Sequence, residues 1–80
     1  MLRMLKAIRA LRGMTQEDLA RRAGVSRQLI ASIEAGRHQD PRLSTLMRIA
    51  DALDLNVEDL IRLMRDLERR YGRDGEGEAR

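Results

Sequence analysis

The sequence predicts an all-α domain, and three observations carry that prediction. Helix starts and stops alternate in order: from Thr15 to Gly36 the chain reads cap, apolar-periodic run, Gly, then cap, run and Gly again. Apolar residues recur at helical spacing in every long segment. The apolar set is almost wholly Leu, Ile, Met, Val and Ala, with no Phe or Trp, Tyr71 as the one aromatic and a single Pro. A β-fold would draw instead on aromatic and β-branched runs. At 80 residues the chain makes one domain with a small core. The expected layout is a domain over residues 1–71, with helices at about 1–12, 16–23, 27–35, 44–53 and 57–71, and a disordered tail at 72–80.

The first helix sets Met1, Met4, Leu5, Ile8 and Leu11 on one stripe, with Arg3, Lys6, Arg9 and Arg12 between them. Gly13 closes it, and Met14 stands ready to staple the next helix against Leu19. Thr15 caps that second helix with Asp18 as its capping-box partner, while Leu19, Ala20 and Ala23 face inward. Glu17 and Asp18 suit the positive end of the helix dipole. As neighbours on a helix they point about 100° apart, so they do not converge as a catalytic carboxylate pair.

Gly24 stops the second helix, Val25 is a buried pivot, and Ser26 caps the third. Ile30 and Ile33 face the core. The opposite face, Arg27, Gln28, Ala31 and Ser32, is made of small or hydrogen-bonding side chains that could enter a groove and meet base edges. Leu29 fits either the core or an apolar contact to a thymine methyl. Gly36 ends this helix.

Residues 37–42 form a polar loop in which Pro41 disfavours helix at Asp40. Ser44 is the expected cap of the fourth helix, whose inner stripe is Leu46, Ile49, Ala50 and Leu53. Asp54 occupies a position where Gly would be easier. Asn56 caps the fifth helix, with a stripe of Leu60, Leu63, Met64, Leu67 and Tyr71 and flanking pairs Glu58–Arg62 and Asp66–Arg70 at i,i+4 spacing. The tail has three Gly, five charged residues and nothing to bury.

Several function classes are excluded by residue type. No Cys means no disulfide frame and no thiolate metal site. The lone His38 has neither a metal-binding companion nor a nucleophile to activate, so no enzyme and no cofactor is expected. Apolar runs are far too short for a membrane span, which makes a cytoplasmic protein the expectation. Net charge is +3, but residues 1–48 hold ten Lys and Arg against four Asp and Glu, whereas residues 49–80 hold six against nine. A basic N-terminal part of this kind suits a polyanion, although a solvated helix face in an Arg-rich chain reads the same way.

The run from Leu5 to Leu60 resembles the Cro/cI-type helix-turn-helix proteins, the phage-repressor-like, five-helix DNA-binding domains. The residues that carry the resemblance are Thr15-Gln16 with Leu19-Ala20, Gly24-Val25-Ser26, Ile33-Glu34 with Gly36-Arg37, and Pro41 followed by Leu46 and Ile49-Ala50. The resemblance implies a five-helix, lambda-repressor-like fold, from which this chain departs by the extended fifth helix that its apolar stripe predicts. It implies base contacts by Arg27, Gln28 and Ser32, a phosphate contact by Gln16, and backbone contacts by Arg37, His38, Gln39 and Arg42. It also implies a structural ion pair between Arg9 and Glu34.

The fifth helix runs past the minimal domain, and its apolar stripe needs cover. A second copy is the simplest partner, which makes Leu63, Met64, Leu67 and Tyr71 the expected dimer interface; folding back on its own domain is the alternative. The expected function is a homodimeric, sequence-specific regulator of transcription, a repressor reading a two-fold symmetric site on double-stranded DNA. Two alternatives stay open. One is an antitoxin or restriction–modification controller touching a toxin or RNA polymerase, and the other is a protein–protein adaptor of the same fold that does not bind DNA.

Overall fold

The computed structural model describes residues 1–72. A 3-10 turn, Leu2–Met4, runs into α1 (Leu5–Leu11), followed by α2 (Gln16–Ala23), α3 (Arg27–Glu34), α4 (Leu43–Ala52) and α5 (Val57–Leu67). A wide π turn, Glu68–Gly72, continues α5. The chain is all-helical among the described residues. The tail expected beyond Gly72 lies outside the described residues.

The helix starts follow from side-chain caps. Thr15 Oγ1 accepts the Asp18 N–H at 3.0 Å, and the Thr15 N–H donates to Asp18 Oδ2 at 3.0 Å, so two orphan donors satisfy each other. Ser26 Oγ accepts the Leu29 N–H at 3.0 Å, and Asn56 Oδ1 accepts the Asp59 N–H at 2.7 Å. The fourth helix departs from expectation. Its cap position is Arg42 without a side-chain bond, and Ser44 lies inside the first turn. Pro41 keeps Asp40 out of helix, Arg42 is still extended with ψ 152°, and the helix begins at the next residue.

Four of the helices stop in the same way. Gly13, Gly24, Gly36 and Asp54 all have positive φ, at 70°, 72°, 81° and 61°. After each, the next N–H reaches back five residues: Met14 to Arg9 O at 3.1 Å, Val25 to Ala20 O at 3.0 Å, Arg37 to Ser32 O at 2.9 Å, and Leu55 to Ala50 O at 2.8 Å. This paired closure satisfies carbonyls that the helix end would otherwise leave open. Met14 is buried by it, and Val25 and Leu55 pack against the core. Arg37 is the exception, because it follows α3 and points to solvent.

Every helix contributes to one core: Leu5 and Ile8, Leu19 and Ala23, Ile30 and Ile33, Ile49 and Leu53, Leu60 and Met64, with Met14 between α1 and α2. Each fully buried aliphatic side chain stabilises the fold by about 1.5–3 kcal/mol. Helix α2 packs against α3 and α4, and α5 packs against α4 and the N-terminal turn. Leu11, expected inside, is exposed. The turn at Gly13 folds Met14 over the end of α1, and Met14 takes the core place instead.

The fifth helix buries part of the stripe expected to face a second copy. Met64 is 1% exposed and belongs to the chain's own core, while Leu63 and Leu67 pack against that core and Tyr71 is 60% exposed. So small a domain needs this stripe internally, and the turn carrying Leu2 and Met4 helps cover it. The flanking ion pairs form at i,i+3, Asp59 with Arg62 and Asp66 with Arg69, rather than at the expected i,i+4 positions.

The helix ends lead to two expected outcomes. Among the described residues Asp54 is the one non-glycine residue at positive φ, a region that costs a typical L-residue about 1–2 kcal/mol and Asp somewhat less. Asp54→Gly gives up chain entropy in exchange, so the net gain is about 0.5 kcal/mol, read as a higher denaturation midpoint at unchanged slope. Asp54→Val, β-branched at the same φ, lowers the midpoint. The Thr15 N–H, together with the Thr15 hydroxyl and the Arg21 guanidinium, holds the Asp18 carboxyl below the usual carboxylate range. A lowered folded-state pKa stabilises above the unfolded value of about 3.9, and that stability is lost as pH falls through the folded value. The stability curve of Asp18→Asn is therefore flatter than that of the parent chain below about pH 4.

Candidate nucleic-acid interface

The surface that could meet nucleic acid begins with α3. Ile30 and Ile33 sink into the core and Leu29 packs against it, which places Leu29 with the core residues. What remains outward at the start of the helix is Arg27 and Gln28, both exposed, followed one turn later by the half-buried Ala31 and Ser32. Ser26 keeps this end of the helix tightly wound through its cap. Arg27 and Gln28 therefore project from a rigid platform, and Ser32 lies deeper along the same line.

Beyond α3 the chain stays on the same side. The Ser32 carbonyl accepts the N–H groups of both Arg37 and His38, at 2.9 and 3.2 Å, which fastens the loop to the helix. Gln39 Nε2 donates to the Gly36 carbonyl at 3.0 Å. Arg37 and Arg42 are exposed, and His38 is half-buried. The aliphatic stem of Arg3 crosses Gly36 so closely that a Cβ there would stand 3.1 Å from Arg3 Cδ. Gly36 is thus needed both for its positive φ and for this approach.

A buried polar network holds α3 in place. Arg9 Nε donates to Glu34 Oε2 at 2.7 Å and Arg9 Nη2 to Glu34 Oε1 at 3.0 Å, a two-pronged pair whose side chains are 12% and 3% exposed. Arg9 Nη1 donates to the Met14 carbonyl at 2.8 Å, and Gln16 Nε2 to Glu34 Oε1 at 3.0 Å. The hydrogen bond to Glu34 raises the Arg9 pKa further above its already high value, so the guanidinium is charged at any accessible pH. Gln16, expected only as a phosphate contact, is also a strut from the start of α2 to the end of α3. Residue spacing carries no sign of the bonds to Gln16 and Met14, because both depend on how α1 crosses the other helices.

The charges around this surface are unevenly matched. Asp18 is paired with Arg21, Glu34 with Arg9, Asp59 with Arg62 and Asp66 with Arg69. Among the described residues Arg27, Arg37 and Arg42 have no carboxylate partner. Three guanidinium groups on α3 and the loop after it, against the single acid Asp40 in that loop, leave a net positive surface that attracts an anion.

Comparison with known proteins fits this geometry. A family model described as helix-turn-helix matches residues 5–60, which takes in all of α1 to α4 and the start of α5. The chain belongs to the helix-turn-helix family. This is a family of DNA-binding transcriptional regulators and not of enzymes. An uncharacterized HTH-type transcriptional regulator of Methanocaldococcus jannaschii is 48% identical over 56 residues, covering 70% of this chain and 83% of the relative. Another from Archaeoglobus fulgidus is 39% identical over 56 residues, covering 70% and 79%. The immunity repressor protein of Bacillus phage phi105 is 44% identical over 57 residues, 71% of this chain but only 39% of the repressor. No solved structure matches the chain significantly. Among the described residues no helix is long and apolar enough to cross a membrane.

Within the helix-turn-helix unit, the Arg9–Glu34 pair generates a stability prediction. Removing one partner of a buried pair leaves the other charge unmet, so Glu34→Ala costs about 3 kcal/mol. The joint change Arg9→Met with Glu34→Leu recovers most of that loss, since an apolar pair of similar volume carries no desolvation cost. Denaturant unfolding of the three chains checks both statements. Equal instability of the single and double variants would show that packing, not charge, sets the cost.

Proposed function

We propose that the chain is a homodimeric transcriptional repressor that reads a two-fold symmetric operator by placing α3 in the major groove of each half-site. The observation that carries this reading is the pairing of two exposed base-reading side chains, Arg27 and Gln28, with guanidinium groups left unneutralised along the loop that follows. Arg27 is suited to guanine O6 and N7, and Gln28 to adenine N6 and N7, with Ser32 meeting a further base edge. Gln16 holds a phosphate at the start of α2, and Arg37, His38, Gln39 and Arg42 follow the backbone. The relatives named as transcriptional regulators and as an immunity repressor support the regulatory role. Two copies would present their α3 helices to half-sites about 10 bp apart, in successive turns of the groove.

Selection of bound sequences from a random DNA pool tests the proposal. The expected outcome is a two-fold symmetric motif, and an unenriched pool would defeat it. On the selected site Arg27→Ala loses about 1–3 kcal/mol and relaxes discrimination at one base pair of each half-site. Arg37→Ala instead weakens all sequences alike and lowers the salt slope of binding by about 1 for each phosphate that is no longer neutralised. Titrations at three salt concentrations separate the two behaviours.

A further inference from the structure

The geometry points to the outer face of α4, not α5, as the surface on which a second copy of this chain docks. This inference rests on the dimeric reading proposed above and names the face that reading requires. Leu43 and Met47, one turn apart on α4, are 63% and 55% exposed, although both are large apolar side chains. Met47 borders a cleft of about 470 Å³ whose apolar floor is completed by Leu55 and Val57. Leu43 and Met47 are thus an exposed apolar pair on α4, and the half-buried Leu55 and Val57 continue the apolar lining toward the start of α5. The stripe of α5 offers less exposed apolar surface, because Met64 lies in the core and Leu63 and Leu67 are half-buried, which leaves Tyr71 as its exposed member.

Charge complementarity identifies the occupant. The rim of the cleft carries one cation and one anion, Arg48 and Asp51, three residues apart on the same exposed side of α4. Neither has an ion-pair partner among the described residues, and Arg48 makes only a long bond, 3.4 Å, to the Gly24 carbonyl. A two-fold contact places residue i against j and j against i. Two α4 helices packed antiparallel about such an axis set Arg48 against the partner's Asp51, twice. The same register brings the Leu43–Met47 end of each copy onto the Leu55–Val57 end of the other. The exposed pair starts directly after Arg42, so the contact adjoins the loop that follows α3 and holds both α3 helices in a fixed relation.

Sedimentation velocity of the full chain over a range of concentrations tests the inference, with melting curves confirming that each variant folds. The parent chain should form a reversible dimer, and Met47→Glu should weaken it by at least about tenfold. Arg48→Asp and Asp51→Arg, each alone, should weaken it similarly by setting like charges face to face, and the double reversal should restore it. A monomeric parent chain, a Met47→Glu chain that still dimerises, or a double reversal that fails to restore the dimer would each overturn the inference. So would a dimer lost in Tyr71→Ser but kept in Met47→Glu. The DNA-pool selection keeps the two readings apart. A symmetric motif from a chain whose Met47→Glu variant stays dimeric would sink the α4 interface alone. An α4 dimer that enriches no sequence would sink the DNA reading alone.

Discussion

The ion pair between Arg9 and Glu34 is the constraint on which the orientation of α3 depends. Hydrophobic packing alone leaves a helix of eight residues some freedom to rotate and slide, because Ile30 and Ile33 are two greasy contacts without direction. The guanidinium removes that freedom. It grips both oxygens of Glu34 at the end of α3, and with its remaining arm it holds the Met14 carbonyl in the turn before α2. Gln16 then closes the triangle from the first residue of α2. A buried pair of this kind adds little net stability, since desolvation offsets most of the attraction. Its contribution is geometric: α1, α2 and α3 meet at one set of directional bonds, so the exposed end of α3 is fixed relative to the end of α2 that lies beside it.

The helix ends extend the same logic outward. At Gly13, Gly24 and Asp54 the closing turn folds an apolar residue back against the core, so each stop is also a packing contact. At Gly36 the closing residue is Arg37, and the turn directs a cation outward. One backbone device therefore serves two ends. Three times it ties the chain down, and once, directly after α3, it sends the chain along the charged surface. The second bond to the Ser32 carbonyl, from His38, keeps that loop from swinging away. Positive φ at Asp54 rather than at Gly shows that the turn is imposed by the packing around Leu55.

Much of this was legible from the residues because caps and stops are local. Thr15 with Asp18, Ser26, Asn56 and the positions of Gly13, Gly24 and Gly36 each act within about five residues, and a reader of sequence has all the parts in view. The misjudged residues are those whose state is settled by distant partners. Leu11 continues the periodicity of α1, but α1 ends there and Leu11 is left exposed, while the turn at Gly13 carries Met14 inward. Met64 carries the same periodicity whether its helix faces a second copy or its own domain, and only the N-terminal turn packed beside α5 distinguishes the two. Gln16 is legible as a polar residue at a helix start, but its bond to Glu34 spans 18 residues and belongs to the crossing of helices. Ser44 shows the opposite limit: a good capping residue is passed over when Pro41 sets the start of the helix two residues earlier than its own propensity would.

The division of charge along the chain gains its meaning from the pairing. In α5 and the turn after it, acids and Arg alternate and satisfy one another, Asp59 with Arg62 and Asp66 with Arg69, so this part is nearly neutral in its outward field. Asp18 is likewise paired with Arg21 and Glu34 with Arg9, whereas Asp40 in the loop after α3 has no ion-pair partner among the described residues. The cations of α3 and its loop have no such partners among the described residues. A modest net charge of +3 therefore becomes a directional one. A polyanion that approaches α3 meets Arg27, Arg37 and Arg42 on the helix and the loop after it, with Asp40 as the one acid in that loop. If that polyanion is DNA, as proposed, contact would release counterions in proportion to the phosphates neutralised. In the proposed reading, base-edge contacts by Arg27 and Gln28 would follow at short range, from the seat that Arg9 and Glu34 supply to α3.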